Sequence, residues 1–236
     1  MRRIRAVFFD AGNTLLASDP PVEEVYSSAF ARWGVKAKAG SVDDGVQATW
    51  REVAERRARG EERWGARDGE RGFWRRFVQG VFWRVGGGEL PEALLEELIE
   101  HFGNPDHWGV YPDVVPVLDE LSRRGTLLTV VSNWDSSLPR LLERLELAPR
   151  FSAIVVSALA GVSKPSARIF EEALARTGVA ADEVVHVGDH PAEDYEGARA
   201  AGLSALLLDR IGHRHGAFET IASLAELPTW LDRNAG

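Results

Sequence analysis

Apolar and polar positions follow two rhythms along the chain. Val7-Phe8-Phe9 is a short run of β-formers that ends on one acid, Asp10. Gly12 and Asn13 then mark a turn, and Thr14 and two leucines follow. An apolar run bounded by turn residues predicts a buried parallel strand. From Leu16 to Tyr111 the strand signal disappears and a helical period replaces it. Asp19-Pro20-Pro21 opens a helix that runs toward Trp33 and stops at Gly34. Ser41 with Asp44 predicts a capped helix start, with the end near Gly60. Phe73, Trp74, Phe77, Val78, Val81, Phe82 and Val85 recur at helical spacing until Gly86-Gly87-Gly88. A fourth helix spans Pro91 to His101, with Leu94, Leu95, Leu98 and Ile99 on one face.

From Tyr111 the pattern alternates. Helices are predicted over Val114 to Arg123, Leu138 to Leu145, Ser166 to Arg176 and Ala192 to Ala201. Strands are predicted over Thr126 to Val131, Ala153 to Val156, Val184 to Val187 and, last, Ala205 to Leu208. Strands alternating with helices imply a parallel, doubly wound α/β sheet. The strand before Asp10 belongs to the same sheet. The expected organisation is therefore a Rossmann-like α/β core over 1–16 and 109–236, with an inserted α-helical cap over 17–108.

Composition narrows the function. The chain has 236 residues, 44% of them hydrophobic, which suffices for a real core. Its formal charge of −8 argues against a general nucleic-acid binder. It has no cysteine, so thiolate metal sites and disulfides are excluded. Met1-Arg2-Arg3 followed by apolar residues imitates a signal peptide, but Asp10 interrupts the apolar run too early. No run reaches membrane-spanning length. A cytoplasmic protein without membrane partners is the expectation.

Polar residues recur at the predicted strand ends: Asp10, Ser132-Asn133 and Gly188-Asp189. The loop after the third strand adds Lys164-Pro165. Open α/β sheets place their chemistry at the carboxyl ends of strands, so these groups can converge. Alone, Asp10 reads as a turn cap, Ser132-Asn133 as an ordinary turn, Lys164 as a solvated lysine, and Asp189 and Asp194 as helix caps. Together they form a coherent set. A rigidly held acid suits a carboxylate nucleophile. Asp10, Asp189 and Asp194 concentrate negative charge, which a hard divalent cation with oxygen ligands, Mg²⁺, resolves. Ser132 and Lys164 add a hydroxyl donor and a fixed cation, completing a nest for a phosphoryl group.

Four stretches carry a resemblance to a known family: F-F-D-A-G-N-T-L-L, T-V-V-S-N-W-D, G-V-S-K-P-S-A-R-I-F and H-V-G-D-H-P-A-E-D-Y-E-G-A-R-A-A-G. The chain resembles the haloacid dehalogenase-like (HAD) hydrolase superfamily. The resemblance implies a sheet of strand order 3-2-1-4-5 with a helical cap inserted after the first motif. It implies Asp10 as the nucleophile of an aspartyl-phosphate. Ser132, Asn133 and Lys164 would bind phosphate, with Ser132 and Lys164 counted among the catalytic residues. Mg²⁺ would lie on Asp10, the carbonyl of Gly12 and Asp189, with Asp194 in support. The implied activity is phosphatase action on a small phosphorylated metabolite.

One departure stands out. Phosphatases of this family usually carry a second acid two residues after the nucleophile, which protonates the leaving group and then activates water. Here that position is Gly12. A phosphatase slowed by this loss is the first reading, with Asp135 or His190 as candidate borrowed acids. The alternatives are a dehalogenase, a phosphonatase with a Schiff-base lysine, or a non-catalytic binding protein. Lys36, Lys38 and Lys164 are the only lysines, and Lys36 and Lys38 read as a solvated loop. His213 and His215 lack an evident third metal ligand and read as a loop. The Arg run from Arg56 to Arg63 is interleaved with Glu and reads as a solvated helix face. Trp33, Trp50, Trp64, Trp74 and Trp83 are expected to form the core of the helical insert, with an apolar pocket as the other reading.

Overall fold

The computed structural model describes residues 3–61, 69–212 and 216–234. The chain divides into two compact units, 1–17 with 110–236, and 18–109. In the first unit, strand β1 (Ala6–Phe9) is buried along its whole length. Strand β2 (Leu16–Ser18) follows, and the chain then enters the helical unit.

That unit holds α1 (Val22–Arg32), α2 (Ala39–Ala58), α3 (Gly69–Arg84) and α4 (Glu92–Gly103). Its core packs Tyr26 and Phe30 of α1 with Phe73, Phe77 and Phe82 of α3 and Leu94, Leu95 and Leu98 of α4. Trp50 and Trp74 pack against this core, with Trp50 4.5 Å from Phe77 between ring centroids. Trp33 and Trp83 are exposed, so the tryptophans do not act as one stripe. Trp64, Arg63, His213 and His215 lie outside the described residues. Lys36 and Lys38 are exposed, and Arg59 pairs with Glu55 and Glu61. The expected start of α2 at Ser41 is corrected. The helix begins at Ala39 with Lys38 at its N-cap, and no side chain caps it. Val42 is fully buried and its amide bonds the Lys38 carbonyl, so burial of Val42 fixes the first turn ahead of Ser41.

Strand β3 (Trp108–Val110) pairs with β2. The first unit then continues as α5 (Val114–Arg123), β4 (Leu127–Ser132), α6 (Leu138–Arg144), β5 (Ala153–Val156), α7 (Ser157–Ala160) and α8 (Ala167–Thr177). It ends with β6 (Val184–Gly188), α9 (Gly197–Ala200), β7 (Ser204–Leu208), β8 (Thr220–Ile221) and α10 (Leu227–Asn234). The sheet order is β5-β4-β1-β6-β7-β8, with every pair parallel. This is the expected α/β order of five strands, extended by one. β8 has two residues, too few to show a pattern, and its pairing to β7 comes from tertiary structure. The central strands read as largely apolar runs because they are buried on both faces, with Thr129 in β4 and His186 in β6 as polar exceptions.

A second correction falls after β6. The expected α-helix from Ala192 begins instead as a wide π-helical turn over Pro191–Glu196 and only then becomes α9. Such turns widen the backbone locally and recur at functional sites. This one turns Asp194 inward, where only 1% of its surface is exposed. No helix among the described residues is long and apolar enough to cross a membrane.

Candidate active site

Parallel pairing sets the site. The Asp10 amide bonds the Val187 carbonyl, which carries the β1 ladder one residue past its end. Ser132 ends β4 beside β1, and Gly188 ends β6 on the other side. The strand-end residues predicted from sequence therefore meet at one edge of the sheet. Ser132 Oγ donates to Asp10 Oδ1 at 3.0 Å, and Lys164 Nζ donates to the same oxygen at 2.6 Å. Lys164 is 2% exposed and also reaches Asp194 Oδ1 at 2.5 Å.

Asn133 acts mainly on the backbone. Its Oδ1 accepts from the Lys164 amide at 2.8 Å, and its Nδ2 donates to the Lys164 carbonyl at 3.0 Å. This two-way clamp ties the loop after β4 to the loop that carries the lysine. Nδ2 also meets Glu193 at 2.7 Å.

Three carboxylates gather here. Ligand oxygens of Asp10, Asp189 and Asp194 all lie within 4.8 Å of one another. Burial pushes Asp189 up to about 8, helped by Asp10 and Asp194 and opposed by Lys164 and an Asn13 bond. Burial also raises Asp10, with Lys164 pulling against it. Asp194 goes the other way. Burial would raise it, but Lys164 and His186 outweigh that and hold it well below the carboxylate range. For Lys164, burial works downward and is overcome by Asp10 and Asp194, so the ammonium is kept.

Asp194 is heavily committed within the chain. Its Oδ1 accepts from Lys164 and His186 Nε2 (2.9 Å), and its Oδ2 accepts from the His190 amide at 2.9 Å. Gly188 makes room for it, since a Cβ there would stand 2.2 Å from Asp194 Cγ.

Several residues of this site escape sequence reasoning. His186 is fully buried in β6, and burial lowers its pKa, leaving a neutral ring that donates to Asp194. The signal was a lone polar residue in the apolar run Val-Val-His-Val. Asn13 sits at φ 54° and turns its amide to Asp189 at 3.4 Å. Arg210 pairs with both oxygens of Asp113 (2.9 and 3.0 Å), lies 3.9 Å over the Tyr111 ring and donates to the Thr14 carbonyl at 2.8 Å. It anchors the far end of the turn that starts at Asp10. Trp134 follows Asn133, and its Cζ3 would lie 3.3 Å from a Cβ on Gly12.

The suggested borrowed acids each accept a local backbone bond. Asp135 Oδ1 accepts from the Ser137 amide at 2.9 Å. His190 is exposed, and its Nδ1 accepts from the Glu193 amide at 3.2 Å.

A buried lysine and a hydroxyl on one carboxylate oxygen, beside a cluster of acids at the carboxyl edge of a parallel sheet, define a hydrolase site of a known kind. The family model "haloacid dehalogenase-like hydrolase" matches residues 4–202, and the chain belongs to this family. It is 30% identical over 243 residues to haloacid dehalogenase-like hydrolase domain-containing protein 3 of Danio rerio, covering 98% of each chain. It is 37% identical over 124 residues to a phosphoserine phosphatase of Thermus thermophilus, covering 52% of this chain and 50% of that one. Among solved structures, it resembles an HAD phosphatase from Thermococcus onnurineus (TM-score 0.66, 26% identity, 97% and 98% covered). It also resembles a 2-haloacid dehalogenase from Pseudomonas syringae pv. Tomato (TM-score 0.65, 25% identity, 98% and 100% covered).

Proposed function

We propose that the chain is a Mg²⁺-dependent phosphatase of small phosphorylated metabolites that works through an aspartyl-phosphate on Asp10. The observation that carries this reading is the shared oxygen. Ser132 and Lys164 both bond Asp10 Oδ1, which leaves Oδ2 as the attacking atom. Ser132 and Lys164 would supply donors to the equatorial oxygens of a transferring phosphoryl group. The relatives that are phosphatases support the substrate class.

The donor set fits a hard cation. It is oxygen-only, and burial beside two other acids holds Asp189 at about 8, the behaviour of a carboxylate short of a positive partner. Asp10, the Gly12 carbonyl and Asp189 would hold Mg²⁺. Asp194, already accepting from Lys164, His186 and the His190 amide, would support them indirectly. Bound there, the cation supplies positive charge against the phosphoryl oxygens.

Asp10 would attack phosphorus while Lys164 and Ser132 take up charge on the transferring group. Water would then release phosphate and restore the carboxylate. Asn133 and Arg210 act through the backbone, one holding Lys164 in reach and the other fixing the turn after Asp10.

Carbon–halogen hydrolysis by the same carboxylate is the second reading. Gly12 favours it, because displacement of halide needs no acid at that position.

Release of phosphate from an aryl phosphate, with and without Mg²⁺, separates the two. The phosphatase reading expects Mg²⁺-dependent release that Asp10→Asn abolishes. Halide release from a 2-haloacid, with none of phosphate, would establish the other.

A further inference from the structure

Gly12 lacks the side chain that would move a proton to the leaving group. What stands in that direction is aromatic. A Cβ on Gly12 would meet Trp134 Cζ3 at 3.3 Å, before any other heavy atom outside its own neighbours. The backbone that carries the indole is fixed on both its polar groups. Ser157 Oγ accepts from the Trp134 amide and donates to the Trp134 carbonyl, each at 3.1 Å, and the Ala158 amide donates to that carbonyl at 3.2 Å. The carbon edge of a ring has no exchangeable proton, so the space beside the nucleophile is walled rather than acidic.

We propose that this site is selective for phosphate compounds whose leaving group departs as a stable anion, such as aryl, enol or acyl phosphates, and that Trp134 forms the wall against which a planar leaving group lies. The proposal rests on the phosphatase reading and names its substrate class. In the first step an Asp10 oxygen bonds phosphorus as the bond from phosphorus to the leaving oxygen breaks. The electron pair stays on the leaving oxygen, which takes a proton from solvent only afterwards. A phenolate or carboxylate tolerates this, whereas an alkoxide does not. In the second step water attacks phosphorus, the Asp10–phosphorus bond breaks, and the water's protons pass to phosphate and solvent. That step is the same for every substrate. Leaving-group chemistry therefore governs kcat/KM and not kcat whenever the second step limits turnover.

The test is a substrate series at saturating Mg²⁺: 4-nitrophenyl phosphate, phenyl phosphate, acetyl phosphate and O-phosphoserine. A positioned acid contributes about 10²–10⁴-fold. The proposal expects kcat/KM to fall with rising leaving-group pKa, by at least about 10²-fold from 4-nitrophenyl phosphate to O-phosphoserine.

Gly12→Asp combined with Trp134→Phe restores an acid and gives it room. The φ of Gly12 lies outside the left-handed region, so only the indole edge opposes the new side chain. This variant should raise the O-phosphoserine rate far more than the 4-nitrophenyl rate. Trp134→Ala should raise KM for the aryl esters about two- to tenfold, the worth of one aromatic contact, and raise it less for acetyl phosphate, whose planar leaving group is too small to cover the ring.

Wild-type kcat/KM that ignores leaving-group pKa would overturn the proposal, because another side chain would then be supplying the proton. An equal effect of Trp134→Ala on aryl and acetyl phosphates would remove the wall. Absence of Mg²⁺-dependent release from every compound would overturn the phosphatase reading itself, and this inference with it.

Discussion

Lys164 shows at the residue scale how a proposed phosphate-binding side chain is also a buried counter-charge. Its sequence context suggested a phosphate binder, yet in the structure it is buried and neutralises Asp10 and Asp194 at once. Removing one partner of a buried charge network strands the others, at a cost of about 3–5 kcal/mol. Lys164→Met, close in shape, should therefore lower the free energy of urea unfolding by about that amount in metal-free buffer. An unchanged unfolding midpoint would mean that the lysine is not the counter-charge. His186 acts one bond further out. A hydrogen bond to a charged group is worth about 1.5–3 kcal/mol. His186→Phe keeps the ring packing against Phe170 but loses the bond to Asp194, so it should slow phosphate release more than His186→Gln, which keeps an amide donor. Equal rates for the two variants would show that the bond is idle. The roles of His186 and Asn13 were hidden in the sequence because each depends on its tertiary partner, Asp194 of the π-helical turn and Asp189 after β6, which residue spacing does not encode.

Elements were more legible than residues. The strands before Asp10 and Ser132 show in the sequence because buried parallel strands are continuous apolar runs that stop abruptly at polar turn residues. The helices show through their period and their glycine stops, as at Gly178 with φ 69° after α8. What failed was local. The start of α2 follows the burial of Val42, β8 is too short to carry a pattern, and the π-helical turn depends on Asp194 finding Lys164 and His186. The junction of β6 with that turn is also the tightest point of the site. Gly188→Ala would drive a methyl to 2.2 Å from Asp194 Cγ, so the turn must move. Such overpacking costs about 1–3 kcal/mol or more. Activity should fall further than stability, because Asp194 would release Lys164. Gly161→Ala has open space but φ 67°, and should cost only about 1 kcal/mol with activity kept. Thermal melts and initial rates on both variants separate a local strain from a displaced carboxylate.

For the whole molecule, the acid cluster couples stability to pH and, on the proposed reading, to Mg²⁺. Asp189 titrates at about 8 in the metal-free protein against an ordinary value of 3.8. Across that window the native state holds a proton that the unfolded chain has released, so this group makes the fold less stable as pH rises. A cation needs the ionised form and must displace the proton below about pH 8. Mg²⁺ affinity should thus tighten by up to about tenfold per pH unit toward pH 8 and level off above it. The rise in Tm given by Mg²⁺ should grow between pH 6 and pH 8, and Asp189→Asn should abolish that growth. A Mg²⁺-induced Tm shift independent of pH would place the cation elsewhere.

The proposed mechanism turns on covalent capture of the phosphoryl group by Asp10. The most direct measurement is acid quench of the Mg²⁺-loaded protein during turnover of 4-nitrophenyl phosphate, followed by borohydride reduction and peptide mass spectrometry. An acyl-phosphate on Asp10 is reduced to homoserine, so the peptide that carries residue 10 should change mass in the wild type and not in Asp10→Asn. Turnover that continues with residue 10 unmodified, or phosphate release that persists in Asp10→Asn, would exclude Asp10 as the nucleophile.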